Sequence, residues 1–172
     1  MGKKKKILTE LPKGNAKGFL GIPINLDLDK LQAHIAILGV PYGLQYYTNE
    51  LSNDQSTAPD ILRSSAQDAA WDEPRTLNHF DWDLGGSLLD NRDIKIIDCG
   101  NVTADFRDPR EHYIRAEEVA RKVFSTNATL ISIGGDHSIT GGILQALGKG
   151  NLSDREPISL LHLDAHTDVF TK

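Results

Sequence analysis

ATLISIGGDHSITGGILQALG, residues 128–148, decides the reading of this chain. It opens as a short apolar run, 128–135, with the β-branched composition of a strand buried on both faces. The run ends in Gly134 and Gly135, which let the backbone bend sharply and approach a neighbour closely. Asp136 and His137 follow at once. SITGGILQALG, 138–148, then reads as a helix with Ser138 as N-cap and Gly148 as its stop, although Gly141 and Gly142 weaken its first turns. A strand that passes straight into a helix through Gly-Gly-Asp-His puts an acid and an imidazole at its carboxyl end, the edge where open α/β sheets bind ligands.

Three further runs share that character: HIAILGV (34–40), DIKIIDCG (93–100) and PISLLHLD (157–164). Helical patterns separate them. APDILRSSAQDAA (58–70) carries Pro59 in its first turn. REHYIRAEEVARKVFS (110–125) sets Ile114, Val119 and Val123 on one face among charges. Strands alternating with helices predict an α/β fold with a parallel sheet. Two irregular segments, PYGLQYYTNELSNDQST (41–57) and WDEPRTLNHFDWDLGGSLLDNR (71–92), read as long surface loops; the second is a specificity loop, an interface, or an excursion pinned by buried Trp71 and Trp82.

The bulk numbers exclude several classes. The net charge of −5 over 172 residues gives no reason to expect nucleic acid. Lys3 to Lys6 form the only basic block and read as a solvated tail. No apolar h-region follows it, and no apolar run approaches the length of a membrane span. A single cysteine, Cys99, fits a reducing compartment, and the expected location is cytoplasmic.

The second decisive stretch is HLDAHTD, 162–168. His162, Asp164, His166 and Asp168 alternate with Leu163, Ala165 and Thr167, so an extended backbone turns all four potential ligands to one side. His137 is expected at the same edge of the sheet. Mixed imidazole and carboxylate donors suit Mn, Fe, Zn or Ni, and several carboxylates favour two ions about 3.5–4 Å apart, with a water of lowered pKa between them. His162 is expected beside the ligands rather than among them, as a supporting partner or a satisfied strand histidine. Asp136 is expected to orient the loop or a ligand imidazole.

GGDHS (134–138) followed by DAHTD (164–168) resembles the ureohydrolase family of arginases, agmatinases and related guanidino-acid hydrolases. GVPYG (39–43), APDILR (58–63) and IIDCGNV (96–102) extend the resemblance upstream. It implies a three-layer α/β/α fold with a mostly parallel sheet, incomplete at its C-terminus, and a binuclear Mn2+ centre. Carried over, His137 would bind one ion and His166 the other, Asp164 would bridge them, and Asp168 would bind the first ion. The activated water would attack a guanidinium carbon, Asp168 would pass the proton to the leaving amine, and urea and an amine would result. HLDAHTD, with Phe170 where arginases typically have Asn, is agmatinase-like.

The resemblance divides the chain into a basic tail and lead-in, 1–33, and the N-terminal part of a ureohydrolase domain, 34–172. Two further ligand aspartates, a proton-shuttling His and a substrate-binding Glu belong to later motifs of the family that this sequence does not contain. The expectation is therefore a truncated amidinohydrolase, acting on agmatine or a guanidino acid. The alternatives are a non-catalytic half-domain docked on a full-length paralogue and a binuclear metallophosphoesterase. The family also implies a trimer or hexamer. Ala58 stands where the family usually has glycine, and Asn101 where it frequently has Asp.

Overall fold

The computed structural model describes residues 7–14, 17–43, 54–69, 79–90, 92–103, 108–148 and 159–165. Its frame is a mixed, mostly parallel sheet. The strands are β1 (Thr9–Glu10), β2 (Ile35–Val40), β5 (Ile96–Val102) and β6 (Thr129–Gly134), in the order β1-β5-β2-β6. β2 runs parallel to both β5 and β6, while β1 is antiparallel to β5. Among the described residues three α-helices accompany the sheet: α1 (Ala58–Ala69), α2 (Pro109–Phe124) and α3 (Ile139–Gly148). The three parallel strands are three of the four apolar runs read from the sequence, and the helices fall within a residue of the ranges read there; Ser138, expected as the N-cap of α3, donates its hydroxyl to Asp136 instead.

β2 is the central strand. It is buried from Ala36 to Val40, which is why its sequence is a continuous apolar run rather than an alternating one. Its neighbour β5 is less uniform. Alternate residues of a strand face opposite sides of the sheet: Ile97 and Cys99 join the apolar core with Ala116, Val119 and Val123 of α2, while Asp98 meets Arg63 of α1. Helices thus cover both faces of β5. The pairing of β2 with β5 shifts register between Ile37 and Gly39, and Gly100 takes a φ of +72° there. This bulge spends one extra residue of β5 and returns Asn101 to the face that Asp98 already occupies, so both side chains reach Arg63.

α2 starts where Asp108 accepts hydrogen bonds from the backbone N–H groups of Arg110 and Glu111 at 3.1 Å each, with Pro109 in the first turn. Its buried face is His112, Ala116, Val119, Ala120 and Val123. Ile114, expected on that face, is 46% exposed. Five residues separate it from Val119, which is about 140° around a helix of 3.6 residues per turn, so the two point in different directions. α3 retains its first turns despite Gly141 and Gly142. The Tyr113 phenol lies where a side chain at 141 would project, so the glycine lets α2 and α3 pack closely.

The expected strand over 157–164 is not seen in its described residues: 159–164 belong to no strand, and Leu160, Leu161 and Leu163 are exposed. An apolar run records hydrophobicity and not a pairing partner. Strand β6 is correspondingly open, with Ile131 exposed and no strand on its outer edge among the described residues. The segment read as an irregular loop contains a small hairpin, β3 (Phe80–Asp81) with β4 (Gly86–Ser87). Trp82 in its turn is 88% exposed rather than buried, its ring edge-on to Phe80 with centroids 4.9 Å apart; Trp71 lies outside the described residues. The lead-in from Ile7 onward packs on the same core, to which Leu8, Leu28 and Leu31 contribute.

Candidate metal centre

The parallel strands end together at Val40, Val102 and Gly134, and the chemistry-bearing residues gather at that edge. The β6 exit is held tightly against the β2 exit. Gly135 donates to the Val40 carbonyl at 3.3 Å, and Asp136 donates its N–H to the Tyr42 carbonyl at 2.8 Å. A Cβ on residue 135 would lie 1.9 Å from that Tyr42 oxygen, so only glycine fits. The Asp136 carboxylate accepts from the Ser138 backbone N–H at 2.9 Å and from the Ser138 hydroxyl. It therefore fixes the turn from which α3 starts and His137 projects.

His137 faces the 159–165 segment. Its Nδ1 lies 3.2 Å from Asp164 Oδ2, and His162 Nε2 lies 3.5 Å from the same oxygen. The two imidazole rings have centroids 5.1 Å apart, tilted by 46°. One donor atom from each of His137, His162 and Asp164 falls within 4.8 Å of the others. Donors around a single ion with bonds of about 2.0–2.2 Å stand at most about 4.4 Å apart. A small side-chain adjustment therefore closes this set on a cation, and two imidazoles with a carboxylate match the donor preference of a divalent transition metal. His166 and Asp168 lie outside the described residues, so the described cluster holds two of the four residues expected as ligands, together with His162. Asp136 sits one residue from His137 with its carboxylate turned to Ser138.

Behind this edge is a buried polar network. The Arg63 guanidinium, 0% exposed, forks onto Asp98: Nε to Oδ2 at 2.8 Å and Nη2 to Oδ1 at 2.9 Å. Nη1 donates to Asn101 Oδ1 at 2.6 Å, and Asn101 Nδ2 donates to Asp60 Oδ1 at 2.7 Å. Asp98 also accepts from the Phe19 and Gly100 N–H groups, at 2.8 Å each. The network ties α1 to β5 and, through Phe19, to the lead-in. It gives Asn101 a structural reason: with Asp60 as its second partner the residue must donate as well as accept, which an ionised Asp cannot do. The signal in the sequence was Asp98 itself, an acid inside an apolar run, which has to find a cation.

Two titratable groups near the edge are shifted by burial. Burial raises the Tyr42 phenol above its usual value, with help from Asp136 and Tyr113. His112, on α2 beneath Tyr42, is pushed below its usual value by burial and then by Arg115, against the pull of the Thr103 backbone and Asp136. Deeper in the sheet, burial drives the Cys99 thiol up to about 12, so it stays protonated and inert. A groove of about 440 Å³ lies elsewhere, lined by Ile7, Leu8, Leu26, Leu28, Glu118 and Lys122, and shares no residue with the cluster.

Comparison with known proteins identifies the family to which this fold belongs. The model of the arginase family matches residues 33–172. Agmatinase of Neisseria meningitidis serogroup C is 32% identical over 159 residues, 91% of this chain and 46% of that protein. Agmatinase of Citrobacter koseri is 31% identical over 157 residues, with the same coverage. Among solved structures, a hypothetical agmatinase from Burkholderia thailandensis superposes with a TM-score of 0.66 at 26% identity, covering 99% of this chain and 50% of that one. Proclavaminate amidino hydrolase from Streptomyces clavuligerus shares the fold, with a TM-score of 0.60 at 20% identity, covering 81% of this chain and 41% of that one. The fold is thus that of the amidine-hydrolysing enzymes, and the chain belongs to the arginase family. It is an agmatinase-like member that spans about half the length of the curated relatives it matches.

Proposed function

We propose that this chain carries metal-binding residues of a binuclear manganese amidinohydrolase that acts on a guanidino compound, agmatine or a guanidino acid, to give urea and an amine. The observation that carries the reading is the approach of His137 to Asp164 across 3.2 Å, from the exits of two separate sequence motifs. His137, Asp164, His166 and Asp168 are the residues assigned to the cations. Bound there, divalent cations supply Lewis acidity that lowers the pKa of water toward neutrality. A guanidinium is a flat, charge-delocalised and poor electrophile, so its hydrolysis depends on such a nucleophile.

The rest falls to the protein. Gly135 and Asp136 hold the His137 loop against the β2 exit. Asp168 is assigned the transfer of a proton to the departing amine. The carboxylates favour a cationic substrate. Family membership supports a small guanidino substrate over the phosphate ester of a metallophosphoesterase. No helix among the described residues is long and apolar enough to cross a membrane, and a cytoplasmic location and a homo-oligomer are part of the proposal. The exposed Ile131, Leu160, Leu161 and Leu163 favour a second reading, in which the chain docks on a full-length paralogue without turning over substrate itself.

Metal analysis of the purified chain, with Mn2+ binding followed by electron paramagnetic resonance, tests the assignment. Wild type is expected to take up Mn2+, and H137A and D164N to weaken it by about tenfold or more, as loss of a direct donor requires. Equal uptake by wild type and D164N would refute the site. Urea release from agmatine or guanidinobutyrate separates the two readings: metal uptake without urea supports the docking half-domain, and urea from the 172-residue chain alone excludes it.

A further inference from the structure

His112 is 2% exposed, yet neither ring nitrogen has a hydrogen-bond partner among the described residues. Its ring stacks on Tyr42, with centroids 4.9 Å apart and planes within 8° of parallel. A buried imidazole with no hydrogen bond of good geometry, drawing at most on the polarity of the Thr103 backbone, costs stability relative to a phenyl ring of the same shape. What it contributes is therefore the stack. Tyr42 is the residue whose carbonyl accepts the Asp136 N–H at 2.8 Å and against whose backbone Gly135 is pressed. The contact runs from α2, through the Tyr42 ring, to the Tyr42 backbone, and from there to the turn that carries His137.

We propose that His112 is a positioning residue: its neutral ring is the platform on which Tyr42 rests, and through Tyr42 it sets the β6 exit loop that presents His137. The charged and titratable groups around the platform explain why it works only when neutral. Arg115, on the same helix, repels an imidazolium, and burial opposes it more strongly. Asp136 from the β6 exit and the Thr103 backbone from the β5 exit favour it without reversing the balance. Tyr42, from the β2 exit, is itself held neutral by burial. Protonation would place a charge in a setting that burial and Arg115 both disfavour, and so weaken the seating of the ring beneath Tyr42.

The inference makes no use of bound metal, so its test reads the loop directly. Amide hydrogen exchange of Asp136 in the 172-residue chain reports the bond to the Tyr42 carbonyl. H112L keeps the apolar volume but removes the flat ring. It is expected to raise Asp136 exchange by about tenfold or more while Leu38 and Cys99, in the core strands, keep their protection. H112F restores the ring and is expected to restore protection. Acidification is expected to lower the Asp136 protection factor in wild type and not in H112F, a difference that packing alone does not produce. Unchanged Asp136 protection in H112L, or the same acid response in H112F as in wild type, would overturn the proposal. A uniform loss of protection in H112L that H112F does not rescue would overturn it as well.

Discussion

Replacing Arg63 by methionine should destabilise the protein by about 4 kcal/mol, within the roughly 3–5 kcal/mol that breaking a buried ion pair costs. The structure supplies the reasons. The guanidinium makes two bonds to Asp98, one to Asn101 and two to the carbonyls of Pro59 and Gly100, at 2.6 to 3.3 Å. In R63M the Asp98 carboxylate, 0% exposed, keeps only the Phe19 and Gly100 N–H groups, and Asn101 loses a donor. For a small domain whose total stability is about 5–15 kcal/mol, that is a large fraction. Urea unfolding followed by circular dichroism reads it directly: with a slope near 2 kcal/mol per molar, the midpoint should fall by about 2 M. R63K retains the charge but not the fork and should lose about half as much. R63M/D98N should cost clearly less than the sum of its single changes, because each removes the charge the other leaves stranded. A midpoint within about 0.5 M of wild type for R63M, or strict additivity in the double variant, would refute this account of the network.

Three other outcomes follow from the packing and the titrations. G141A should destabilise by about 1–3 kcal/mol despite the better helix propensity of alanine, since the new Cβ would meet the Tyr113 phenol oxygen at 1.9 Å; adding Y113F should recover much of the loss in thermal melts. G142A, whose Cβ would sit at an ordinary 3.5 Å from its nearest neighbour, should be neutral or stabilising by up to about 1 kcal/mol in the same melts. Stability should also fall on acidification. Below 6.5 the unfolded chain protonates His112, whereas the folded protein holds the imidazole below that value; the loss begins there as pH drops and levels off under the folded pKa. H112F should flatten that part of the urea-midpoint profile between pH 7.5 and 5.

Most of the frame could be read from residues alone, because it rests on local signals. The runs at 34–40, 93–100 and 128–135 are apolar and bounded by breakers, and they became β2, β5 and β6. Helix boundaries were less exact: α2 starts at Pro109 under an Asp108 cap, one residue ahead of the range read, and Ser138, read as the cap of α3, donates its hydroxyl to Asp136. What could not be read depends on contacts distant in sequence. PISLLHLD is as apolar as the true strands, but pairing depends on a neighbour that apolarity does not specify. Ile114 shows that a hydrophobic residue in a helix is not thereby on its buried face. For the candidate site, the spacing of His137, Asp164, His166 and Asp168 declared itself in two short motifs, and the structure brings His137 to Asp164. Arg63 was legible only in retrospect, through the stranded acid at Asp98. His112 gave no signal, since a histidine among the charges of an amphipathic helix looks like any solvent-facing one.

The two margins of the sheet are not equivalent. On one side β1, two residues long and antiparallel, closes off β5 and leaves little backbone to which another chain could bond. On the other, six residues of β6 present their outer hydrogen-bonding groups with no such guard among the described residues. Growth by strand addition is therefore steered to a single flank. Any segment that joins there, from whatever source, comes to rest beside the strand that leads into His137, so enlarging the sheet and furnishing the cation site with new neighbours are one and the same event.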